Sequence, residues 1–510
     1  MSWVIQSLLN YAHLRPDAVA VYDGSRCLTY KDLVNSVTEL AARLRANHCH
    51  RIALVADNSP EWIIADLAAW YADAMIVPVP SFFTPDQVQH LLTTSRADTL
   101  ITQAEKPADA VPHGFEVMAD NVEGVALYRR DQVADDKGPL TTGHCKVTYT
   151  SGSTGTPKGV VLSGDTIDAV ARRLVTGFEG MQIARHLCSM PLATLLENIA
   201  GVYVPLVRGT AICVPSLTKL GLYGSSRIDA SRFRQAIADA RAESLILQPQ
   251  TLRELTASIK QEPDLRTASL RFVAVGGAKV ADADLEKAAS VGIPAYQGYG
   301  LSECASVVAL NRPNDSRNGS VGRPLPGLAV EIAADGEILV GQQCMSGYLG
   351  EEPQGFAKVP TGDLGYLDDD GYLYVTGRKK NVFITSFGRN VSPEWPEAVL
   401  LHEPEIQQAC VFGEAMPFNT AVLVHDPTCN DEHIAAAIAR ANLTLPDYAR
   451  VTEWIVADEA FSPANGLLTT TGKPRRDAIA RRYVYATGQE RFHLPDAAPT
   501  MNQHHQRTTL

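Results

Sequence analysis

Long apolar runs are missing from this 510-residue sequence. The most hydrophobic stretch, residues 62–79, is broken by Asp66 and Asp73, so the ~18 uninterrupted apolar residues of a membrane-spanning helix are not there. A basic surplus is missing too. With 45 Lys and Arg against 57 Asp and Glu the formal net charge is −12, which argues against a nucleic-acid partner, because phosphate affinity needs a concentrated Lys/Arg surface. Closely paired cysteines are also missing: Cys27, Cys49, Cys145, Cys188, Cys213, Cys304, Cys344, Cys410 and Cys429 are scattered, with no Cys-x-x-Cys spacing of a zinc or redox site. Reduced, mostly buried thiols in a cytoplasmic protein are the expectation. Residues 1–10 carry no basic segment and no small-residue cleavage site, so no secretory leader is expected.

What is present is ordinary globular composition, 45% hydrophobic and 20% charged, long enough for roughly three packing units. Short β-type runs alternate with helical patterns over the first three hundred residues, the signature of an α/β protein with crossover-connected sheets. Residues 231–241 read as a helix with Phe233, Ile237 and Ala240 on one face. Residues 245–247 read as a buried strand, 251–259 as a helix and 270–275 as a strand that ends in Gly276-Gly277. A further strand, 294–297, runs into Gly298-Tyr299-Gly300, with a helix expected from about Ser302. Strands that end in glycine turns point to a ligand crevice at their carboxyl ends. From Val321 the pattern changes to hairpins, with turns at 334–336 and 368–371. After Gly377 comes the basic run Arg378-Lys379-Lys380. These shifts predict a large domain over 1–377 containing an antiparallel, barrel-like subdomain at 321–377. A hinge at 378–380, a small α+β domain at 381–485 and a disordered polar tail at 486–510 complete the expectation.

Residues 149–160 read Tyr-Thr-Ser-Gly-Ser-Thr-Gly-Thr-Pro-Lys-Gly-Val. Glycines let a backbone wrap an anion, hydroxyls and N–H groups donate to it, and a lysine adds charge. This is the chemistry of a phosphate loop, although no Gly-Lys-[Ser/Thr] closes it in the Walker manner. A flexible linker is the alternative, disfavoured because flanking β-type residues make a strand–loop–strand element.

The loop resembles the phosphate-binding motif of the adenylate-forming superfamily, which comprises acyl- and aryl-CoA synthetases, peptide-synthetase adenylation domains and luciferases. Further segments are similar to that family in the same order: Leu28-Thr29-Tyr30, residues 296–303, Thr361-Gly362-Asp363, residues 377–380 and Thr471-Gly472-Lys473. The resemblance implies a large domain of stacked α/β sheets, a mobile C-terminal domain, and activation of a carboxylic acid by ATP and Mg2+. By the same resemblance Thr150, Ser151, Gly152, Ser153, Thr154, Gly155, Thr156 and Lys158 hold phosphate. Gly276, Gly277, Ala278, Gly298, Tyr299 and Gly300 border adenine, Ser302 faces phosphate and Glu303 holds the metal. Asp363, with Arg378, takes the ribose, Lys380 is the hinge, and Lys473 is the catalytic cation that enters for adenylation and is then withdrawn.

Two places depart from the family. Thr194 stands where many relatives carry His or an aromatic residue, and Phe387, within Ser386-Phe387-Gly388, replaces a common glycine of the acceptor channel. Both leave adenylation intact and bear on the acceptor. CoA is the first expectation. An amine, giving an amide ligase, is a second. An acyl-carrier-protein ligase is a third, although residues 341–360 are short for the segment such enzymes add. A luciferase-like oxidase and a nucleotide-binding pseudoenzyme are disfavoured, the latter because Lys158, Glu303, Asp363 and Lys473 are all kept. The acyl pocket is expected from residues 190–204, 247–251 and 305–310.

Overall fold

The computed structural model describes residues 2–103, 112, 114–130, 145–150, 157–223, 227–261, 269–277, 280–342, 344–351, 357–387, 389–469 and 472–485. The expected tail, 486–510, lies outside these residues. Instead of three packing units the chain divides into two, the first over 1–376 and the second running from Gly377 to Thr469 and resuming at Lys473.

Two large mixed sheets build the first unit. One has eight strands in the order Gly347–Tyr348, Lys158–Ser163, Cys145–Thr150, Met75–Pro78, Arg51–Val55, Thr99–Gln103, Val125–Arg129, Glu116–Val122. The other has nine: Arg323–Pro324, Ala309–Leu310, Ala295–Tyr299, Phe272–Val275, Ser244–Leu247, Arg185–Leu187, Ala211–Cys213, Val19–Tyr22, Cys27–Thr29. Both are parallel at the centre and antiparallel at the edges. Parallel centres require both faces covered, and the sequence supplies the covering helices. Tyr30–Ala46 is N-capped by Thr29 in a capping box with Asp32 and buries Leu33, Val37, Leu40, Ala41 and Leu44, one face at helical spacing. The Leu-Thr-Tyr match near the start is therefore structural: Thr29 caps, and the buried Tyr30 hydroxyl donates to the Leu206 carbonyl at 3.0 Å. The apolar stretch 62–79 resolves into helix Pro60–Tyr71, buried at ten of its twelve positions, and strand Met75–Pro78. Such an all-round apolar helix belongs inside a large core. Among the described residues no helix is long and apolar enough to cross a membrane.

The hairpins expected after Val321 form a four-stranded antiparallel sheet, Val330–Ile332, Glu337–Gly341, Lys358–Leu367, Leu373–Arg378. Its two edge strands do not pair among the described residues, so this is an open sheet where a barrel-like form was expected. The second unit packs helices Glu394–Leu400 and Asp431–Asn442 with a three-stranded sheet, Ile406–Phe412, Asn419–His425, Val451–Val456.

Candidate active site

Thr150 and Lys158 face each other at the mouth of a β-hairpin. Strands Cys145–Thr150 and Lys158–Ser163 pair antiparallel, from Cys145 opposite Ser163 to Thr150 opposite Lys158. The loop residues Ser151, Gly152, Ser153, Thr154, Gly155 and Thr156 lie outside the described residues. Lys158 is exposed. Its Nζ is 3.3 Å from Glu351 Oε1 and 5.0 Å from the Tyr348 ring centroid. Tyr348 sits on the adjoining edge strand, opposite Val160. Its hydroxyl donates to Glu303 Oε1 at 3.1 Å, so one tyrosine touches both the loop lysine and the carboxylate expected to hold metal. Burial and the Glu303 charge push the Tyr348 phenol well above its ordinary range. A cleft of about 210 Å³ opens beside it, lined by His90, Tyr149, Lys158, Tyr348 and Glu351 among others. Burial raises the Tyr149 phenol to about 12, against a hydrogen bond with Thr94.

Glu303 does not lie on a helix. Where a helix was expected from Ser302, the chain makes one 3₁₀ turn, Ser302–Cys304. Ala305 (φ 53°) and Ser306 (φ 88°) then enter the left-handed region in succession. That reversal pairs Gly298 with Leu310 and Tyr299 with Ala309. Two adjacent non-glycine residues there store strain of order 1–3 kcal/mol each. Gly300 makes the corner feasible: a Cβ at that position would lie 1.5 Å from the Ser306 carbonyl oxygen. The Glu303 carbonyl is tied by the Met345 N–H at 2.7 Å.

Asp363, on strand Lys358–Leu367, is buried. The Tyr299 hydroxyl donates to its Oδ2 at 2.7 Å, and burial together with the Asp363 charge raises the Tyr299 phenol far above its usual value. Gly276 follows strand Phe272–Val275, its N–H bonded to the Leu247 carbonyl at 3.1 Å, and Gly277 takes φ 84°. Ala278 lies outside the described residues. Thr150, Gly276 and Tyr299 thus come at or just past the carboxyl ends of strands, where open α/β sheets bind ligands.

A family model described as AMP-binding enzyme matches residues 9–349, and one described as AMP-binding enzyme C-terminal domain matches 380–486. The chain is an AMP-binding enzyme. Its relatives include the long-chain-fatty-acid–CoA ligase FadD15 of Mycobacterium bovis, 26% identical over 85% of this chain and 86% of that protein. Another is the 2-succinylbenzoate–CoA ligase of Bacillus licheniformis, 29% identical over 79% and 85%. The fold matches o-succinylbenzoate CoA synthetase from Bacillus subtilis in complex with its acyl-adenylate intermediate, with a TM-score of 0.73, 22% identity and coverage of 93% and 97%. It also matches the anthranilate CoA ligase AuaEII in complex with anthranoyl-AMP, with a TM-score of 0.77, 19% identity and coverage of 95% and 98%.

In the second unit of this AMP-binding enzyme, Gly377 passes Ser392 so closely that a Cβ would fall 1.5 Å from Ser392 Oγ. Arg378 is half-buried, and the exposed Lys380 lies in the 3₁₀ turn Lys379–Asn381. Ser386 is exposed, with its N–H on the Met416 carbonyl at 2.9 Å. Phe387 is 75% exposed. Gly388 lies outside the described residues. Lys473 is exposed on a turn closed at both backbone groups, its N–H on Thr469 Oγ1 at 3.0 Å and its carbonyl on the Thr469 N–H at 2.8 Å. Three residues on, Arg476 forms a two-point pair with Glu397, at 2.7 and 2.6 Å, which anchors the end of that turn.

Several residues that organise the site escaped the sequence reading. Asn58 clamps the segment before Thr194: its Nδ2 donates to the Met190 carbonyl and its Oδ1 accepts the Leu192 N–H, both at 2.8 Å. Beyond Thr194 the chain forms a π-helix, Glu197–Tyr203, set between two buried polar networks. In one, His186 Nε2 meets Glu197 Oε1 at 3.0 Å and His186 Nδ1 meets Ser244 Oγ at 2.8 Å, while the Met190 N–H donates to Glu197 Oε2 at 3.0 Å. Cys188 completes a His/Cys/Glu group, but both ring nitrogens are already engaged, and the group reads as a hydrogen-bond network. In the other, Lys146 donates to Asp66 at 2.6 Å, to the Tyr203 hydroxyl at 2.7 Å and to Asn198. Burial pulls the Lys146 ammonium below its ordinary range, opposed by the Asp66 charge. A lysine inside a strand of otherwise apolar and hydroxyl residues was the available signal, because a buried charge needs a partner.

Proposed function

We propose that this AMP-binding enzyme activates a carboxylic acid with ATP, forming an acyl-AMP and pyrophosphate, and then passes the acyl group to CoA with release of AMP. The observation that carries the reading is the set Lys158, Tyr348, Glu303, Tyr299 and Asp363 within one unit. It supplies a phosphate-neutralising cation, a hard oxygen ligand and a carboxylate able to accept ribose hydroxyls. The relatives named as CoA ligases support the acceptor.

A carboxylate resists displacement at neutral pH, and joining its oxygen to AMP makes that oxygen part of a good leaving group. The attack brings anions together, so catalysis is largely positioning and charge compensation. Thr150, the loop after it and Lys158 hold the phosphates. Tyr299 fixes Asp363 for the ribose, and Gly276 and Gly277 border the base. Mg2+ suits the half-buried Glu303 carboxylate, because it prefers oxygen ligands, and Ser302 beside it in the chain offers a hydroxyl toward phosphate. When bound, the ion would neutralise phosphate charge. Lys473, on the second unit, compensates charge on the transferring adenylyl group during adenylation, and a swing about Lys380 then exchanges it for the acceptor channel at Ser386 to Gly388. The acid is taken by a pocket drawing on residues 190–204, 247–251 and 305–310.

A panel of carboxylic acids assayed for ATP-dependent pyrophosphate release, with CoA or an amino-acid mixture supplied, tests both steps. An acyl-CoA product supports the reading, and an amide without thioester overturns the acceptor. Lys473→Ala should slow adenylation by about a hundredfold or more while sparing use of preformed acyl-AMP. Equal loss in both half-reactions would assign the lysine to folding or general binding.

A further inference from the structure

We propose that Cys304 and Cys344 are an oxidisable dithiol, a disulfide site whose closure shuts off adenylation. Cys304 ends the 3₁₀ turn that carries Glu303, and Cys344 lies in the segment leading to Tyr348, forty residues on. Their sulfurs are 3.4 Å apart and share a hydrogen bond. The two segments are already tied by the Met345 N–H on the Glu303 carbonyl, and the Cys344 carbonyl accepts the Thr166 hydroxyl at 3.2 Å. One backbone bond thus ties the two cysteine segments to each other, and the Thr166 hydroxyl fixes the Cys344 segment to a third element.

The two thiols differ in the way a sensor needs. Cys304 is buried, whereas Cys344 is only partly buried. A partly exposed thiol beside a buried resolving cysteine is the arrangement of reversible redox sites. The oxidant is a hydroperoxide. The Cys344 thiolate attacks its terminal oxygen, the O–O bond breaks and the alkoxide leaves (hydroxide when the oxidant is hydrogen peroxide), giving a sulfenic acid. The Cys304 sulfur then attacks that sulfenic sulfur, the S–OH bond breaks, water leaves and the S–S bond forms. With hydrogen peroxide, two thiols lose two electrons and two protons and one peroxide becomes two waters. A transient bond of this kind suits a compartment that otherwise keeps thiols reduced.

Closure has a consequence for catalysis that rests on the function proposed above. Bringing the sulfurs from 3.4 Å to the ~2.05 Å of a disulfide closes about 1.4 Å between two side chains, a change shared between their rotation and the segments that carry them. One of them holds Glu303 next to the moving residue, and a misplacement of about 1 Å can cost about a hundredfold in rate.

The full chain is treated with graded hydrogen peroxide, then digested without reductant and mapped by mass. The expected result is a linked peptide pair joining Cys304 to Cys344, with two hydrogens lost. Pyrophosphate release should fall tenfold or more in parallel and recover with dithiothreitol. Cys344→Ser, or Cys344→Ala as a second variant, should keep the activity of the reduced enzyme and lose the peroxide response. A sulfinic acid at Cys344 with Cys304 still free overturns the proposal, as does a closed bond with unchanged pyrophosphate release. If the reduced enzyme releases no pyrophosphate with any acid, the proposed reaction fails. The bond is still decided by mass, and shut-off is then read as loss of Mg-ATP binding on oxidation, with unchanged binding counting against it.

Discussion

Removing the charge of Lys146 tests how the strand leading into the proposed phosphate loop is held. Its ammonium and the Asp66 carboxylate are each 1% exposed, 2.6 Å apart, and Asp66 also accepts from Asn198 Nδ2 at 3.0 Å and from the Tyr203 hydroxyl. Lys146→Met leaves the Asp66 anion buried with two neutral donors and no cation, a loss of about 3–5 kcal/mol. Asp66→Asn strands the ammonium in the same way at a similar cost. The double variant strands neither, so its destabilisation should fall short of the sum by about 2 kcal/mol or more, within the range of strongly coupled neighbours. Lys146 and Thr150 are four apart on one strand and share a face, so the single variants should also lose adenylation activity measured on folded protein. Denaturant midpoints for the four proteins of the cycle give the coupling. Additive losses would show that the two charges do not depend on each other and would sink the argument.

Three further outcomes are expected. Tyr299→Phe removes the hydroxyl on Asp363, a bond to a charged group worth about 1.5–3 kcal/mol; the Kd for ATP should rise roughly tenfold to a hundredfold, and unchanged ATP binding would detach Asp363 from the ribose. Arg476→Ala leaves Glu397 buried without its partner, which should destabilise the second unit by about 3–5 kcal/mol; calorimetry should show its transition falling while that of the first unit stays in place. Tyr30 and Tyr203 are raised above their ordinary 10.0 by burial, so the native state keeps protons that the unfolded chain releases. Their contribution is intact below pH 10 and is lost above it, at up to about 1.4 kcal/mol per pH unit for each. Urea midpoints should therefore drop in alkali, and tyrosinate absorbance from these two residues should appear only with unfolding.

Local pattern carried the reading of this chain as far as local pattern reaches. The hairpin around the phosphate loop was legible because strand, glycine-rich turn and strand follow one another within twenty residues. The strands before Gly276 and Gly298 were legible for the same reason. The helix expected at Ser302 failed because Ala305 and Ser306 take left-handed conformations that neither side chain announces; only packing against Gly300 makes that turn available. Tyr348, Asn58 and the Lys146–Asp66 pair were invisible because their partners lie 45, 132 and 80 residues away. Tertiary pairing at such distances leaves no periodicity for a sequence to display.

The corner at residues 300–306 also limits how enzymes of this design can diverge. Glu303 and the start of the proposed acid pocket, 305–310, share one strained turn, held by Gly300 on one side and by the Met345 N–H on the other. A substitution that reshapes the proposed pocket from this wall pulls on the carboxylate proposed to hold metal, two residues away, so new acid preferences gained here should carry a penalty in turnover. The other segment proposed for the pocket, around Thr194, is braced separately by Asn58 and the π-helix. Variation in acid specificity at little catalytic cost should therefore accumulate there, and libraries aimed at residues 190–196 should yield more active variants than libraries aimed at 305–307.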